Sequence, residues 1–273
     1  MGPNSRRRIL ITGAGGMIAP DLAHALYSDY ALRISDIVAV DPSRFPDVEY
    51  VGADLADADA VARAIDGIDA VVHLGAVTWD EDVHARMIPS NVSGVYNLFD
   101  AARRAGVERI VFASTHHTVG FHHVDGTLDL PENAEPRPDT FYAVTKLYGE
   151  ALARYFHERY AMRCYCLRIG YYMTPKRIAE GFGRYKEALI LSPRDFASMV
   201  RCCLTADDPR FGIYNCISNA TRPWLSIDKA RSELGYDPQD TVTTLFGDVA
   251  PATELTSSDF AWMYGDIDAG PER

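Results

Sequence analysis

The chain contains no run approaching the ~20 consecutive apolar residues of a membrane-spanning helix, and no apolar signal segment precedes its first strand-like stretch. Cysteine is scarce: five residues, an odd number set mostly inside apolar runs, which argues against a disulfide framework. Basic charge is also short, because 27 Lys and Arg stand against 38 Asp and Glu, a formal net charge of -11. A nucleic-acid backbone would need a basic face. Internal repeats and low-complexity linkers are absent. The expectation is a cytoplasmic globular chain with neither a membrane nor a nucleic-acid partner. Cys164 and Cys166 share one face of the strand-like Arg163 to Ile169 and read as core packing.

What is present suits an α/β enzyme, since 273 residues at 47% hydrophobic content can bury a full core. β-Branched runs alternate with helical patterns, as in a parallel sheet covered on both faces. The predicted strands are Arg8 to Thr12, Ile37 to Val40, Ala70 to Leu74, Arg109 to Ser114, Arg163 to Ile169 and Phe211 to Ile217. Helices are predicted at Met17 to Ser28, Ala58 to Ile65, Val83 to Ala105, Asp139 to Arg159, Leu191 to Leu204 and Ser226 to Leu234. The fold class is a Rossmann-type doubly wound parallel sheet with a small C-terminal substrate-binding lobe. One domain is expected, with residues 6–170 mainly dinucleotide-binding core, 171–250 mainly the small lobe, and 251–273 a polar tail.

The strand Ile9-Leu10-Ile11-Thr12 runs into Gly13-Ala14-Gly15-Gly16-Met17-Ile18-Ala19. Glycines there permit a sharp turn and remove the Cβ atoms that would hold a pyrophosphate away from the amides at a helix N-terminus. Asp41, about 25 residues on, closes the second predicted strand and is placed to accept from ribose hydroxyls, which favours NAD over NADP; Arg44 nearby offers an alternative phosphate partner. Asp54 and Leu55 are candidates beside the adenine, and Leu74, Gly75 and Ala76 let the second half of the cofactor pass close to the backbone. Ile169, ending its strand, joins this set, as does Asn91, which also reads as a structural amide bridging helix and strand.

Tyr142 and Lys146 lie four apart on a predicted helix and so share a face. An ammonium beside a phenol favours the phenolate, which makes the tyrosine an acid/base at neutral pH. Ser114 and Thr115 bring hydroxyls to a strand end nearby. The implied reaction is hydride transfer at a carbon bearing oxygen, with Tyr142 handling the proton and Lys146 holding the nicotinamide ribose. His116, His117, His122 and His123 lack the Cys or acidic partners of a tetrahedral site, so no metal is expected and His116 or His117 is read as a substrate contact.

Taken in order, the T-G-x-x-G turn, acidic strand end, strand-end hydroxyl and Y-x-x-x-K helix resemble the extended short-chain dehydrogenase/reductase family, the NAD-dependent epimerases and dehydratases. The resemblance runs from about Arg8 to Gln239. Within the family it is greatest for the uronate dehydrogenase group, through Ile110 to Gly120, Arg137-Pro-Asp139 and Leu167 to Gly170. It implies NAD-dependent oxidation of a sugar or uronic acid at C1 to a lactone, and pairing of copies through the helices at Val83 to Ala105 and Asp139 to Arg159. By position, Thr115 stands where the family has its catalytic serine, Thr78 where it has a substrate-contacting serine, and His117 where it has a histidine. His116 and Tyr171 depart from the group, which has asparagine and a small hydroxyl residue there. The basic clamp for a uronate carboxylate falls to Arg184 or Lys186, with Arg177 behind them. A nucleotide-sugar epimerase or dehydratase retaining NAD, and a non-catalytic NAD-binding regulator, are the competing readings.

Overall fold

The computed structural model describes residues 6–78, 82–174, 177, 187–208 and 210–247. Its centre is a seven-stranded, wholly parallel sheet. In chain order the strands are β1 (Arg8–Thr12), β2 (Ala31–Asp36), β3 (Glu49–Gly52), β4 (Ala70–His73), β5 (Arg109–Thr115) and β6 (Arg163–Ile169), then a short pair β7 (Tyr171–Tyr172) and β8 (Ile190–Leu191), and β9 (Phe211–Cys216). Spatial order in the large sheet is β3-β2-β1-β4-β5-β6-β9. The direction of winding reverses between β1 and β4, and the crevice at the C-terminal ends of these strands is where such sheets bind ligands.

Period-two alternation divides the core into two layers. Ile9, Ile11, Val72, Val111 and Leu167 face helices α1 (Ile18–Leu26) and α6 (Pro193–Thr205), whereas Leu10, Val71, Ile110, Phe112, Cys164 and Cys166 face α2 (Ala58–Ile65), α3 (Gly94–Ala105) and α5 (Phe141–Tyr160). All five cysteines are free. Short helices α4 (Gly120–Val124), α7 (Asp228–Leu234) and α8 (Val242–Phe246) complete the described elements.

Three expectations need correction. The second strand is not Ile37 to Val40 but Ala31–Asp36; Ile37 and Val38 are 68% and 56% exposed in the loop beyond it. The real strand carries Arg33, whose buried guanidinium is held by the Ala64 and Asp66 carbonyls and by Glu49, so a polar residue hid a core strand. The helical stretch from Val83 divides: Val83–Ser93 winds as a π-helix with Pro89 inside it, and only then does α3 begin. Such wide turns occur often at functional sites. The edge strand β3, four residues long, was missed.

The far edge of the sheet is partly engaged by side chains. Among the outward-facing groups of β9, the Ile213 carbonyl accepts from Lys229 Nζ at 2.9 Å and the Asn215 amide donates to Glu132 at 3.3 Å. Among the described residues no helix is long and apolar enough to cross a membrane.

Candidate active site

The β1–α1 turn is nearly bare. Gly13 adopts φ +77°, and a Cβ there would meet the Gly75 amide nitrogen at 2.6 Å, so the turn can press on the end of β4 only as glycine. Gly15, Gly16 and Met17 are exposed, and no side chain caps the first amides of α1. The end of β1 is pinned to β4 by Thr12, whose Oγ1 accepts from Gly75 N at 3.3 Å and pairs with His73 Nδ1 at 2.7 Å. Burial pushes His73 down to about 3, so this ring stays neutral.

The carboxylate beside the turn is Asp36, which ends β2 and accepts from Gly15 N at 2.8 Å. Asp41 lies five residues beyond, outside the sheet; its side chain caps a short turn by accepting from the Ser43 amide and hydroxyl, which lowers its pKa. The displaced strand assignment carried the acid with it. Arg44 donates to the Gly16 carbonyl at 2.9 Å. Asp54 turns its carboxylate to the Ala56 amide, while Leu55 packs under Gly75 and Gly94. Leu74 and Ala76 are half-buried and Ile169 is buried at the end of β6. An open amide cradle at a helix N-terminus, flanked by a strand-end carboxylate, fits a dinucleotide with its pyrophosphate on the amides.

Asn91 is buried on the π-helical segment and commits its amide to protein: it accepts from Val77 N at 2.9 Å and donates to Val77 O at 2.8 Å and to Thr145 Oγ1 at 3.1 Å. It braces the loop after β4 against α5, which is the bridging reading rather than the cofactor contact.

Thr140 starts α5 by accepting from Ala143 N at 3.1 Å, and the helix then sets Tyr142 and Lys146 on one face. Lys146 Nζ lies 5.6 Å from the centre of the Tyr142 ring and 4.8 Å from that of Phe112. Desolvation dominates both groups. It pushes the Tyr142 hydroxyl above the phenol range and the Lys146 ammonium down to about 7. The expected lowering of the phenol by its lysine is therefore not present in the resting chain, because the ammonium itself is buried against Phe112 and loses charge near neutrality.

Ser114 and Thr115, adjacent on β5, face opposite sides of the sheet. Ser114 donates to Glu150 at 2.6 Å, and Glu150 forms a buried two-point pair with Arg168 at 2.9 Å on each bond. Ser114 thus belongs to the core. Thr115 ends the strand, accepting from His117 N at 3.3 Å. His117 Nδ1 faces both oxygens of Asp139, at 3.0 and 2.8 Å. His116 is buried, packed edge-on at 4.0 Å from His117, and burial above all keeps it neutral. His123 stacks on Trp224 at 4.2 Å and burial holds it near 3. Among the described residues no group of His, Cys, Asp and Glu could hold a metal.

Thr78 is exposed beyond β4. Tyr171 is half-buried, with the Arg177 guanidinium 4.5 Å over its ring and bonded to the Tyr172 carbonyl at 2.9 Å. Arg184 and Lys186 lie outside the described residues. Two surface clefts lie away from this site, one of about 310 Å³ beside Asn219 and Thr241 and one of about 710 Å³ along β9. Asp36 and Asp139 are the residues that sequence reasoning passed over. The first was legible as the acid ending a period-two run, the second only from contacts.

Residues 9–190 match the model of the NAD dependent epimerase/dehydratase family. The chain is 35% identical to an NAD-dependent glucose-6-phosphate dehydrogenase of Haloferax volcanii, over 85% of this chain and 93% of that protein. It is 34% identical to a uronate dehydrogenase of Pseudomonas syringae, over 85% and 82% respectively. It superposes on a variant of the uronate dehydrogenase of Agrobacterium tumefaciens in complex with NAD, with a TM-score of 0.76 and 29% identity, covering 90% of this chain and 92% of that one.

Proposed function

Because the chain belongs to the NAD dependent epimerase/dehydratase family, we propose that it is an NAD-dependent dehydrogenase that oxidises a sugar or uronic acid at C1 to the lactone. The observation carrying this reading is the convergence of the bare β1–α1 turn, Thr115 and the Tyr142/Lys146 pair at one end of the parallel sheet. NAD, when bound, supplies the hydride acceptor. The amides of Met17 and Ile18 would hold its pyrophosphate, those of Gly15 and Gly16 being engaged by Asp36 and the Gly13 carbonyl; Asp36 in place of Asp41 would hold its adenosine ribose, and Leu74, Gly75, Ala76 and Ile169 the passage between the halves. Lys146 would hold the nicotinamide ribose.

Tyr142 takes the proton of the C1 hydroxyl, and Thr115 donates to the same oxygen, so the two orient the reacting carbon. To take that proton Tyr142 must be the phenolate, which burial alone opposes; the positive charge of Lys146 and of NAD, when bound, would release the phenol's own proton to solvent first. Two relatives named for glucose 6-phosphate and for uronate share a six-carbon sugar with an anionic end. That end falls near Thr78, Tyr171 and Arg177, with Arg184 and Lys186 as further candidates.

The test is purified protein with NAD and a panel of aldoses, sugar phosphates and uronates, followed by absorbance of the reduced cofactor. Accumulation of reduced NAD with an aldose or uronate supports the reading. No turnover on any of them, with NAD co-purifying, favours an epimerase or dehydratase that returns the hydride. Tyr142→Phe is expected to lower turnover by about 10²–10⁴-fold while NAD still binds; persistent turnover removes the tyrosine from its role.

A further inference from the structure

His117 offers the site a ring nitrogen, and the residue behind it sets whether that nitrogen gives or takes a proton. Resting on the sugar-oxidising reading above, we propose that Asp139 is a positioning residue that fixes the proton of His117 on Nδ1, so that Nε2 presents a lone pair to the 2-hydroxyl of the sugar. The Asp139 side chain is 1% exposed and that of His117 28% exposed, so the carboxylate lies inside and the ring reaches outward. Both carboxylate oxygens lie on Nδ1, at 3.0 and 2.8 Å. An ionised carboxylate only accepts, which requires the proton on Nδ1 and leaves Nε2 an acceptor in the neutral ring.

The pair is held from several sides. His117 N donates to Thr115 Oγ1 at 3.3 Å, and Asp139 N donates to His117 O at 3.3 Å. His116 packs against the imidazole at 4.0 Å. Opposite, Gly120 leaves the carboxylate its space, since a Cβ there would collide with Asp139 Oδ2. The tie between His117 N and Thr115 Oγ1 puts the ring next to the hydroxyl that orients the reacting carbon. Of the two atoms flanking C1 in a pyranose, the ring oxygen has no proton to give and the C2 hydroxyl has one. A lone pair at Nε2 therefore selects the 2-hydroxyl and disfavours a carboxylate or phosphate, which places the anionic end of the substrate elsewhere in the site.

Nitrogen-15 NMR of histidine-labelled protein, without cofactor at pH 8.5, reads the tautomer directly. The expected result is His117 with a protonated Nδ1 and a bare Nε2, changing to a protonated Nε2 in Asp139→Asn, where the amide can donate to Nδ1. In parallel, D139N is expected to lower kcat/KM for the sugar by about 10–100-fold. The native protein should lose a similar factor on the 2-deoxy sugar, and D139N should lose little more on that analogue. A native His117 protonated on Nε2 or on both nitrogens overturns the proposal, as does an unchanged 2-deoxy discrimination in D139N. If no sugar is oxidised at all, the dehydrogenase reading fails by itself, and the NMR result still decides the tautomer.

Discussion

The two strand ends that frame the crevice solve opposite problems. After β1 the chain removes side chains: Gly13 touches Gly75 with no room for a Cβ, and the α1 amides stand uncapped. After β5 it accumulates them: Thr115, His116, His117 and, behind them, Asp139 and Glu150 are tied by hydrogen bonds or ring contacts. A ligand that brings its own charge and many acceptors, as a pyrophosphate does, is met best by bare backbone. A sugar hydroxyl differs from its neighbours only in position, and is discriminated by fixed donors and acceptors. The first end therefore tolerates no added atom, and the second no altered proton.

Acidification should separate the two ends most. His116 and His123 at the β5 end and His73 beneath the crevice are kept neutral by burial, His73 and His123 down to about 3. Unfolded, each takes up a proton below about 6.5. Unfolding then binds protons, so stability is complete above that value and falls as the pH drops toward 3, by up to ~1.4 kcal/mol per unit for each ring. Lys146, held at about 7 against an ordinary value near 10.5, acts in the same sense at higher pH: stability rises from about 7 to 10.5. Urea midpoints measured from pH 4 to 9 should climb throughout, and a flat profile below pH 6.5 would contradict the burial of these rings.

Next in size is Glu150→Ala, which leaves Arg168 buried without its partner and frees Ser114; a loss of about 3–5 kcal/mol in urea unfolding is expected. Thr115→Ala, on the opposite face of the same strand, should lower turnover with little change in that midpoint, and equal destabilisation by both would erase the division of β5 into a structural and a chemical face. Gly13→Ala should cost at least ~1–2 kcal/mol through its left-handed backbone alone and also abolish NAD binding in a fluorescence titration. The smallest effect is expected from Asp36→Ser, which should narrow the preference for NAD over NADP by roughly tenfold to a hundredfold, the weight of one or two charged hydrogen bonds; Asp41→Ser should leave the ratio unchanged.

Much of the fold was legible because buried strands read as short apolar runs set between helical patterns: β1, β6 and α2 occupy the residues their patterns mark. Illegible were the places where burial and polarity part company. Ile37-Val38-Ala39-Val40 is the more β-like run yet lies in a loop, while Ala31–Asp36 forms the strand with Arg33 buried inside it. That displacement shifted the ribose acid by five residues. Of the site, the Tyr142 to Lys146 spacing and the glycine turn could be read directly, being local. The opposite facing of Ser114 and Thr115 follows from strand alternation alone. The Asp139 contact with His117, 22 residues away, and the desolvation that reverses the pKa argument for Tyr142 depend on tertiary packing that spacing does not encode.

One feature of the sheet reaches beyond the site. With the Ile213 carbonyl occupied by Lys229 and the Asn215 amide by Glu132, two of the outward backbone groups of β9 are already engaged by side chains. An intruding chain would have to displace that cation and that carboxylate to pair along the full length of the strand. Natural sheets guard their borders with such side chains against runaway edge-to-edge growth, and here they make complete strand pairing through β9 unfavourable. Tyr96, Tyr155 and Tyr160 stand exposed on α3 and α5, the helices that cover the sheet beside it.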